Sequence, residues 1–406
     1  MIQGKISRLQ QKQDCRTLSK YGAGPFSSRK RPLLGIHRSH VFPVSALLVL
    51  GAIAITSGSL LVASSPIHHG LLGAATSPVA VAMNVERLDP ALNSIVPAKP
   101  VLEKVATGPG FKWTEGPVWI PAGYLLFAEI PSNSIRKWTP GVGVSVFMQP
   151  SGYKGSAPFT GPEPGSNGMT LDSRGRLTVA GHAQRDVWRL EQIDPTAQVT
   201  VLADTYQGKR LNSPNDVAYK SDGALYFTDP PYGLPTLDKD PSKQLQINGV
   251  YRIPGAVSQK PGAPPDRAHL QLLVKDLPRP NGICFSPDEK YLYVNNSEPK
   301  KLWMRYTVKA DGTLTDGKVF FDATSDTRAG APDGQKVDQQ GNLYSAGPGG
   351  VWIFSPEGKH LGTLDIPERV GNVAWGGADH KTLYVAASSS IYRISLKIPG
   401  VSPHIR

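Results

Sequence analysis

Short apolar runs separated by turns of glycine, proline and aspartate recur along the chain from residue 101 onward. Residues 210–233 (RLNSPNDVAYKSDGALYFTDPPYG) show the pattern. A polar loop ends in Asn215, an apolar run follows, a Ser-Asp-Gly turn comes next, and a second run ends at Asp229. Apolar runs of this length, bounded by turn residues, are typical of β-strands joined in hairpins. The pattern predicts two strands here, with Asn215 at the entrance of the first.

The same arrangement returns in six units, each headed by a polar residue beside glycine or proline. The units cover residues 114–138, 166–190, 215–253, 280–306, 332–354 and 371–394, and their head residues are Glu115, Asn167, Asn215, Asn281, Asp333 and Asn372. Small strand meanders repeated at such spacings indicate blades that stack in a ring, because one blade cannot bury both of its faces. The sequence predicts an all-β, six-bladed β-propeller over residues 101–400. A two-sheet sandwich fits less well, since it does not generate six similar units.

The last unit has only three clear strands. The run at residues 101–106 has no unit of its own, so we expect it to pair with the last blade and close the ring, which would remove exposed strand edges. Residues 83–100 are polar and contain proline, and are interpreted as a linker.

Residues 1–82 are interpreted as a leader. Residues 1–44 hold nine Lys or Arg and one acid, and residues 45–63 form an apolar run close to the ~20 residues needed to span a bilayer. A basic flank before such a run indicates an export signal or an N-terminal membrane anchor. The prediction is an exported protein, periplasmic or secreted, either released from its leader or anchored by residues 45–63.

The composition limits the classes of partner and of metal site that we expect. The net charge of +12 comes mostly from the leader, so a nucleic-acid role is not expected. The two cysteines, Cys15 and Cys284, lie on opposite sides of the apolar run and predict neither a disulfide nor a zinc site.

In a propeller, the entrances of the innermost strands meet at one mouth of the central channel. The six head residues would therefore converge there, and two carboxylates with several amide oxygens form a hard, oxygen-rich site. Such a site suits a divalent cation, Ca²⁺ first, then Mg²⁺ or Mn²⁺, and Zn²⁺ less well. The alternative is that Asn and Asp beside Gly or Pro only form turns.

Ordered motifs carry a family resemblance. TEGPVW, SPNDV with FTDPPYG, PNGICFSPDEKYLYV, PDGQKVDQQGNLY and AWGG, in this order over residues 100–395, resemble the senescence-marker-protein/gluconolactonase (regucalcin-like) family. The resemblance implies a six-bladed propeller with a divalent metal in its channel that hydrolyses sugar lactones or similar esters. Glu115, Asn281 and Asp333 match the metal-binding positions of the family, and Asn215 matches a position that contacts metal or substrate.

The resemblance also implies that Asp333 is catalytic, as a general base in addition to a ligand. Animal members have a substrate-binding arginine where this chain has Ser213, with Arg210 nearby. The predicted substrate contacts, whose roles are open between binding and packing, are Asn167, His182, Arg210, Asn215 and Asp229.

The favoured function is therefore a metal-dependent lactone hydrolase with a small-molecule lactone or ester as substrate. A non-catalytic propeller that binds a sugar or a protein is the main alternative, because a fold does not fix a function. Hydrolysis of phosphotriesters or aryl esters at the same metal is another. The sequence lacks a Gly-x-Ser-x-Gly elbow, a His-Glu-x-x-His motif and a phosphate loop, which gives no support to those catalytic classes.

Overall fold

The computed structural model describes residues 78–402, which form an all-β, six-bladed propeller. The predicted fold is confirmed. Each blade is an antiparallel meander whose first strand is innermost. Blades 1 to 3 consist of Thr114–Ile120, Tyr124–Glu129, Ser134–Thr139 and Gly143–Met148; Met169–Leu171, Leu177–Ala180, Val187–Leu190 and Val199–Ala203; and Val217–Tyr219, Leu225–Asp229, Gly249–Ile253 and Gln271–Val274.

Blades 4 to 6 complete the ring. They consist of Pro280–Phe285, Tyr291–Asn296, Leu302–Val308 and Leu314–Asp322; Gln335–Val337, Leu343–Gly347, Gly350–Phe354 and His360–Asp365; and Val370–Gly376, Thr382–Ala387 and Ser390–Ser395. A two-residue ribbon pairs Thr205–Tyr206 with Lys209–Arg210, and short 3₁₀ turns lie at His182–Gln184, Leu237–Lys239 and Ala256–Ser258.

The ring closes through a strand from the N-terminal side. Leu102–Thr107 pairs antiparallel with Ser390–Ser395, so that Leu102 faces Ile394 and Ala106 faces Ile391. The predicted closing strand is therefore confirmed. The last blade lacks a fourth strand of its own, and the pairing joins the two ends of the ring.

The segment before this strand differs from the expectation. Residues 83–100, interpreted as a linker, contain the strand Val85–Arg87 on the outer edge of blade 5 and the helical turn Leu92–Ile95. Val79–Val81, assigned to the leader, pairs with Leu102–Thr107. The linker interpretation was wrong because Leu92 and Ile95 are buried between blades 5 and 6. Two apolar residues do not form a periodic pattern, so the sequence did not indicate this contact.

The rest of the predicted leader, including the apolar run at 45–63, lies outside the described residues. Among residues 78–402, no helix is both long and apolar enough to cross a bilayer.

The apolar core lies between blades. Six buried clusters occupy the described residues, one at each interface between neighbouring blades. Between blades 4 and 5, for example, the rings of Trp303 and Trp352 stack with centroids 5.3 Å apart. The central channel is polar at one mouth only, since apolar inner-strand residues such as Val118, Met169 and Ile283 line its other end.

A partly buried acid links the closing strand to the rest of blade 6. Glu368, in the loop that enters blade 6, accepts hydrogen bonds from Ser389 (backbone N, 2.8 Å), Ser390 (Oγ, 2.6 Å) and Tyr392 (Oη, 2.6 Å), and pairs with Lys104 on the closing strand (3.1 Å). Burial alone would raise the pKa of Glu368, but the hydrogen bonds outweigh it and lower the pKa to about 2.

Truncating Leu92 should destabilise the protein, because the side chain is fully buried between blades 5 and 6. We expect Leu92→Ala to lower the free energy of unfolding by about 2–5 kcal/mol. Leu88→Ala is the control, since Leu88 is 53% exposed and its truncation leaves no cavity. Urea unfolding measures both variants, and equal effects would show that the N-terminal segment is not part of the core.

Replacing Glu368 should change how stability depends on pH. A carboxyl group whose pKa falls from 4.5 to about 2 on folding stabilises the protein above pH 4.5 and loses that contribution as the pH falls toward 2. We expect Glu368→Gln to cost about 1–3 kcal/mol at pH 7, with the gap to wild type narrowing in acid. Urea midpoints from pH 7 to pH 3 measure the gap.

Glu103→Gln serves as the control for this comparison, since Glu103 lies on the same closing strand in a surface pair with Arg393. We expect it to cost less than about 1 kcal/mol. If the stability difference between Glu368→Gln and wild type stays constant with pH, the lowered pKa assigned to Glu368 is contradicted.

Candidate functional site

One mouth of the channel opens into a cavity of about 330 Å³. Five of the six head residues line it: Glu115, Asn167, Asn215, Asn281 and Asp333. The prediction that these side chains meet at one mouth is thus confirmed for this set. The sixth, Asn372, lies behind the lining and hydrogen-bonds Glu115.

Two kinds of loop build the cavity, because strands one and two of each blade run antiparallel. The loop that enters the first strand and the loop that leaves the second therefore lie at the same end. The lining residues that sequence reasoning missed come from these loops: Trp113, Pro162, Glu163, Ala331 and Arg369 precede head residues, and Pro131, Tyr232, Ser297 and Glu298 follow second strands. A position two to four residues before a head residue was the available signal for Trp113, Glu163 and Arg369.

Glycines beside the head residues allow the blades to approach closely. A Cβ on Gly116 would lie 2.2 Å from the carbonyl oxygen of Asn167, and a Cβ on Gly282 would lie 2.2 Å from that of Asp333. Both distances are far inside van der Waals contact. The Glu-Gly and Asn-Gly pairs thus have a packing cause, since each glycine abuts the backbone of the next blade's head residue.

Two acidic side chains, Glu115 and Asp333, lie at the centre of the site. Burial raises the pKa of Glu115 to about 8, against the opposing hydrogen bond from the Gly116 N–H. Burial also raises the pKa of Asp333 well above its ordinary value, and Glu115 raises it further, while Arg369 lowers it. Among the described residues no hydrogen bond reaches the Asp333 carboxylate; only its backbone carbonyl accepts one, from Asn295. A positive charge between the two acids would relieve both burial and repulsion.

The amide side chains are oriented by their neighbours. The Asn281 Nδ2 donates to the Ser297 Oγ at 3.0 Å, and Ser297 donates to the Pro332 carbonyl at 2.7 Å. The Asn281 Oδ1 is therefore left for the cavity. Asn215 lines the same cavity, fixed by its backbone N–H to the Thr228 carbonyl at 2.9 Å.

These features fit a divalent cation. Within residues 78–402, no three His, Cys, Asp or Glu side chains are grouped as a metal site. A cation here would need amide oxygens as well as the two carboxylates. Glu115, Asn215, Asn281 and Asp333 provide that mixture of hard oxygen donors.

The other predicted substrate contacts are placed differently. His182 is fully buried behind the cavity wall, with its Nε2 2.7 Å from the carboxylate of the lining residue Glu163. The structure does not bring Arg210 or Asp229 to the cavity. Arg210 is exposed and donates to the Gln184 carbonyl, at 2.9 Å.

The Asp229 Oδ2 accepts from the backbone N–H of Asn212 at 2.8 Å, and burial raises the pKa of this acid to about 7. Asp229 thus orders the loop before Asn215. Ser213 in that loop is also buried, donating to the Pro230 carbonyl at 2.5 Å. Ser213, which occupies the position of the family's substrate-binding arginine, therefore stabilises the loop in this chain.

Comparisons with known proteins identify the family of this chain. Residues 113–389 match the model of the SMP-30/gluconolactonase/LRE-like region. A gluconolactonase of Zymomonas mobilis is 36% identical over 371 residues, which span 88% of this chain and 95% of that protein.

Two solved structures share the fold. A gluconolactonase of Xanthomonas campestris superposes with a TM-score of 0.65 at 29% identity, over 79% of this chain and 98% of that one. Regucalcin of Agrobacterium tumefaciens, a calcium-binding protein, superposes with a TM-score of 0.53 at 19% identity, over 73% of this chain and 94% of that one, which shows likeness of fold alone.

Adding one methyl group at Gly282 should disturb the site, because it would meet the Asp333 carbonyl. We expect Gly282→Ala to cost about 1–3 kcal/mol of stability and to displace Asp333. Gly110→Ala is the control: its added Cβ meets nothing within 4 Å, and it carries only the strain of φ +88°. Thermal unfolding measures the cost, and a Gly282→Ala protein as stable as wild type would contradict the close approach.

Proposed function

Because the chain belongs to the SMP-30/gluconolactonase/LRE-like family, we propose that it is a hydrolase that opens sugar lactones at a divalent cation in the propeller channel. The observation that carries the proposal is the convergence of two buried, unneutralised carboxylates and three amides at one cavity. The cavity volume lies at the lower end of the range for small-molecule sites, which suits a single sugar ring.

Glu115, Asn215, Asn281 and Asp333 are the residues that would hold the cation, with Ca²⁺ as the favoured ion. When bound, it supplies a positive charge that polarises the lactone carbonyl and makes a nearby water more acidic. Asn372 and the Gly116 N–H hold the Glu115 carboxylate in place, and Ser297 fixes the Asn281 amide. The ligands are thus oriented before the ion arrives.

Asp333 is proposed as the general base. Its carboxylate lines the cavity and is engaged by no hydrogen bond among the described residues, so it is free to take a proton from an attacking water.

The rim of the cavity is proposed to orient the substrate. The Arg369 guanidinium lies 5.2 Å from the centroid of the Trp113 ring, and both residues line the cavity. A flat aromatic face beside a cation suits a sugar ring and its hydroxyl groups. Asn167 contributes an amide to the same wall.

Turnover of glucono-δ-lactone, followed by acid release, tests the proposal. We expect Asp333→Asn to lose about 10²–10⁴-fold in kcat/KM, because it removes the base and a ligand charge. Chelator should abolish wild-type turnover, and Ca²⁺ should restore it and raise the wild-type Tm, but not that of Asp333→Asn.

Asp379→Asn, in an exposed turn of blade 6, is the matched control and should behave as wild type. Absence of wild-type turnover across a lactone panel with Ca²⁺, Mg²⁺ and Mn²⁺ present would favour a binding propeller instead.

A further inference from the structure

A buried histidine stands behind an acid that lines the cavity. Glu163 lies in the loop before Asn167, with its side chain 28% exposed at the cavity wall. The His182 side chain is fully buried, and its Nε2 lies 2.7 Å from the Glu163 Oε2. The pair therefore runs from the interior of blade 2 to the space where the substrate is proposed to bind.

Both ring nitrogens of His182 face oxygen atoms. Its Nδ1 lies 3.3 Å from the backbone carbonyl oxygen of Pro214, which can only accept a hydrogen bond. An ionised Glu163 is also only an acceptor. A neutral imidazole has one N–H, so if both contacts are hydrogen bonds the pair holds one proton more than a neutral imidazole and a carboxylate hold together. That proton lies on Nε2 of an imidazolium or on Glu163 itself.

The fold holds the imidazole in this position at some cost. His182 has a left-handed backbone with φ +46° at the start of a 3₁₀ turn, a conformation that only a few per cent of non-glycine residues adopt. Gly233 packs against the ring, since a Cβ there would lie 2.9 Å from the His182 Cδ2. Backbone strain of this kind is retained where a side chain must be presented in one direction.

We propose that Glu163 is the general acid of lactone opening and that His182 is its positioning residue; this inference rests on the proposed lactone hydrolysis. Water forms a bond to the carbonyl carbon and gives its proton to Asp333. The ring C–O bond breaks with its electron pair on the ring oxygen, which takes the proton held by Glu163 and His182. Asp333 returns a proton to solvent and the pair regains one, so the net reaction consumes one water and yields the hydroxy acid.

Two lactones of equal ring size but different leaving groups test the role of Glu163. Opening of δ-valerolactone expels an alkoxide, which needs a proton, whereas opening of dihydrocoumarin expels a phenolate, which is stable without one because a phenol has a pKa of about 10. We expect Glu163→Gln to slow kcat for δ-valerolactone about 10²–10³-fold and for dihydrocoumarin less than about 10-fold.

Glu298→Gln is the matched control, because it removes a carboxylate from the same mouth. It should change both rates by one common factor. Equal slowing of both lactones by Glu163→Gln would overturn the inference, since loss of charge or of substrate binding does not depend on the leaving group.

A comparison of single and double variants at His182 and Glu163 tests the role of His182. His182→Asn keeps a residue that tolerates the left-handed backbone but cannot carry the proton. We expect it to reproduce the leaving-group dependence of Glu163→Gln, and the double variant to be no slower than either single one. Thermal unfolding checks that each variant is folded. Additive losses in the double variant would overturn the positioning role.

The outcomes separate the two proposals. If the wild-type protein opens neither lactone with metal present, both the proposed function and this inference are contradicted. A wild-type protein that opens both, with Glu163→Gln slowing them in parallel, leaves the proposed function standing and removes only the general acid.

Discussion

The arrangement of the molecule depends on two acids that repel one another at the centre of a ring. Glu115 and Asp333 are buried, and burial is the main cause of the raised pKa of each. Such a pair is costly unless something positive joins it. The six apolar interfaces between blades, together with the closing strand, supply the stability that holds these groups in place. The core therefore surrounds the site.

Repetition made most of this predictable. The six head residues could be found because each lies at or just before the start of the first strand of its unit, and five of them line one cavity. Glu163 and Arg369 lie in entry loops of irregular length, four and three residues before their head residues, so only closeness to a head residue marks them. Arg210 was predicted from its place near Ser213 and Asp229 from its place at the end of a second strand. Their contacts with the Gln184 carbonyl and the Asn212 N–H show that they stabilise loops instead.

The N-terminal segment shows the other limit of pattern reasoning. Strand and helix signals depend on several regularly spaced apolar residues. Residues 83–100 offer few, and their partners, such as Tyr344 and Leu364, are more than two hundred residues away. Such contacts are tertiary in origin, and a sequence read locally does not reveal them. Ring closure by residues 101–106 was predictable only because the last unit was one strand short.

The glycines at the head residues limit where the site can diversify. Gly116 and Gly282 leave no room for even a methyl group between neighbouring blades, so the inner circle has a nearly invariant diameter. The rim is built from loops of unequal length. Relatives that process bulkier rings would therefore differ at the rim, in the lengths of the loops carrying Glu163 and Arg369, while the inner circle stays the same size.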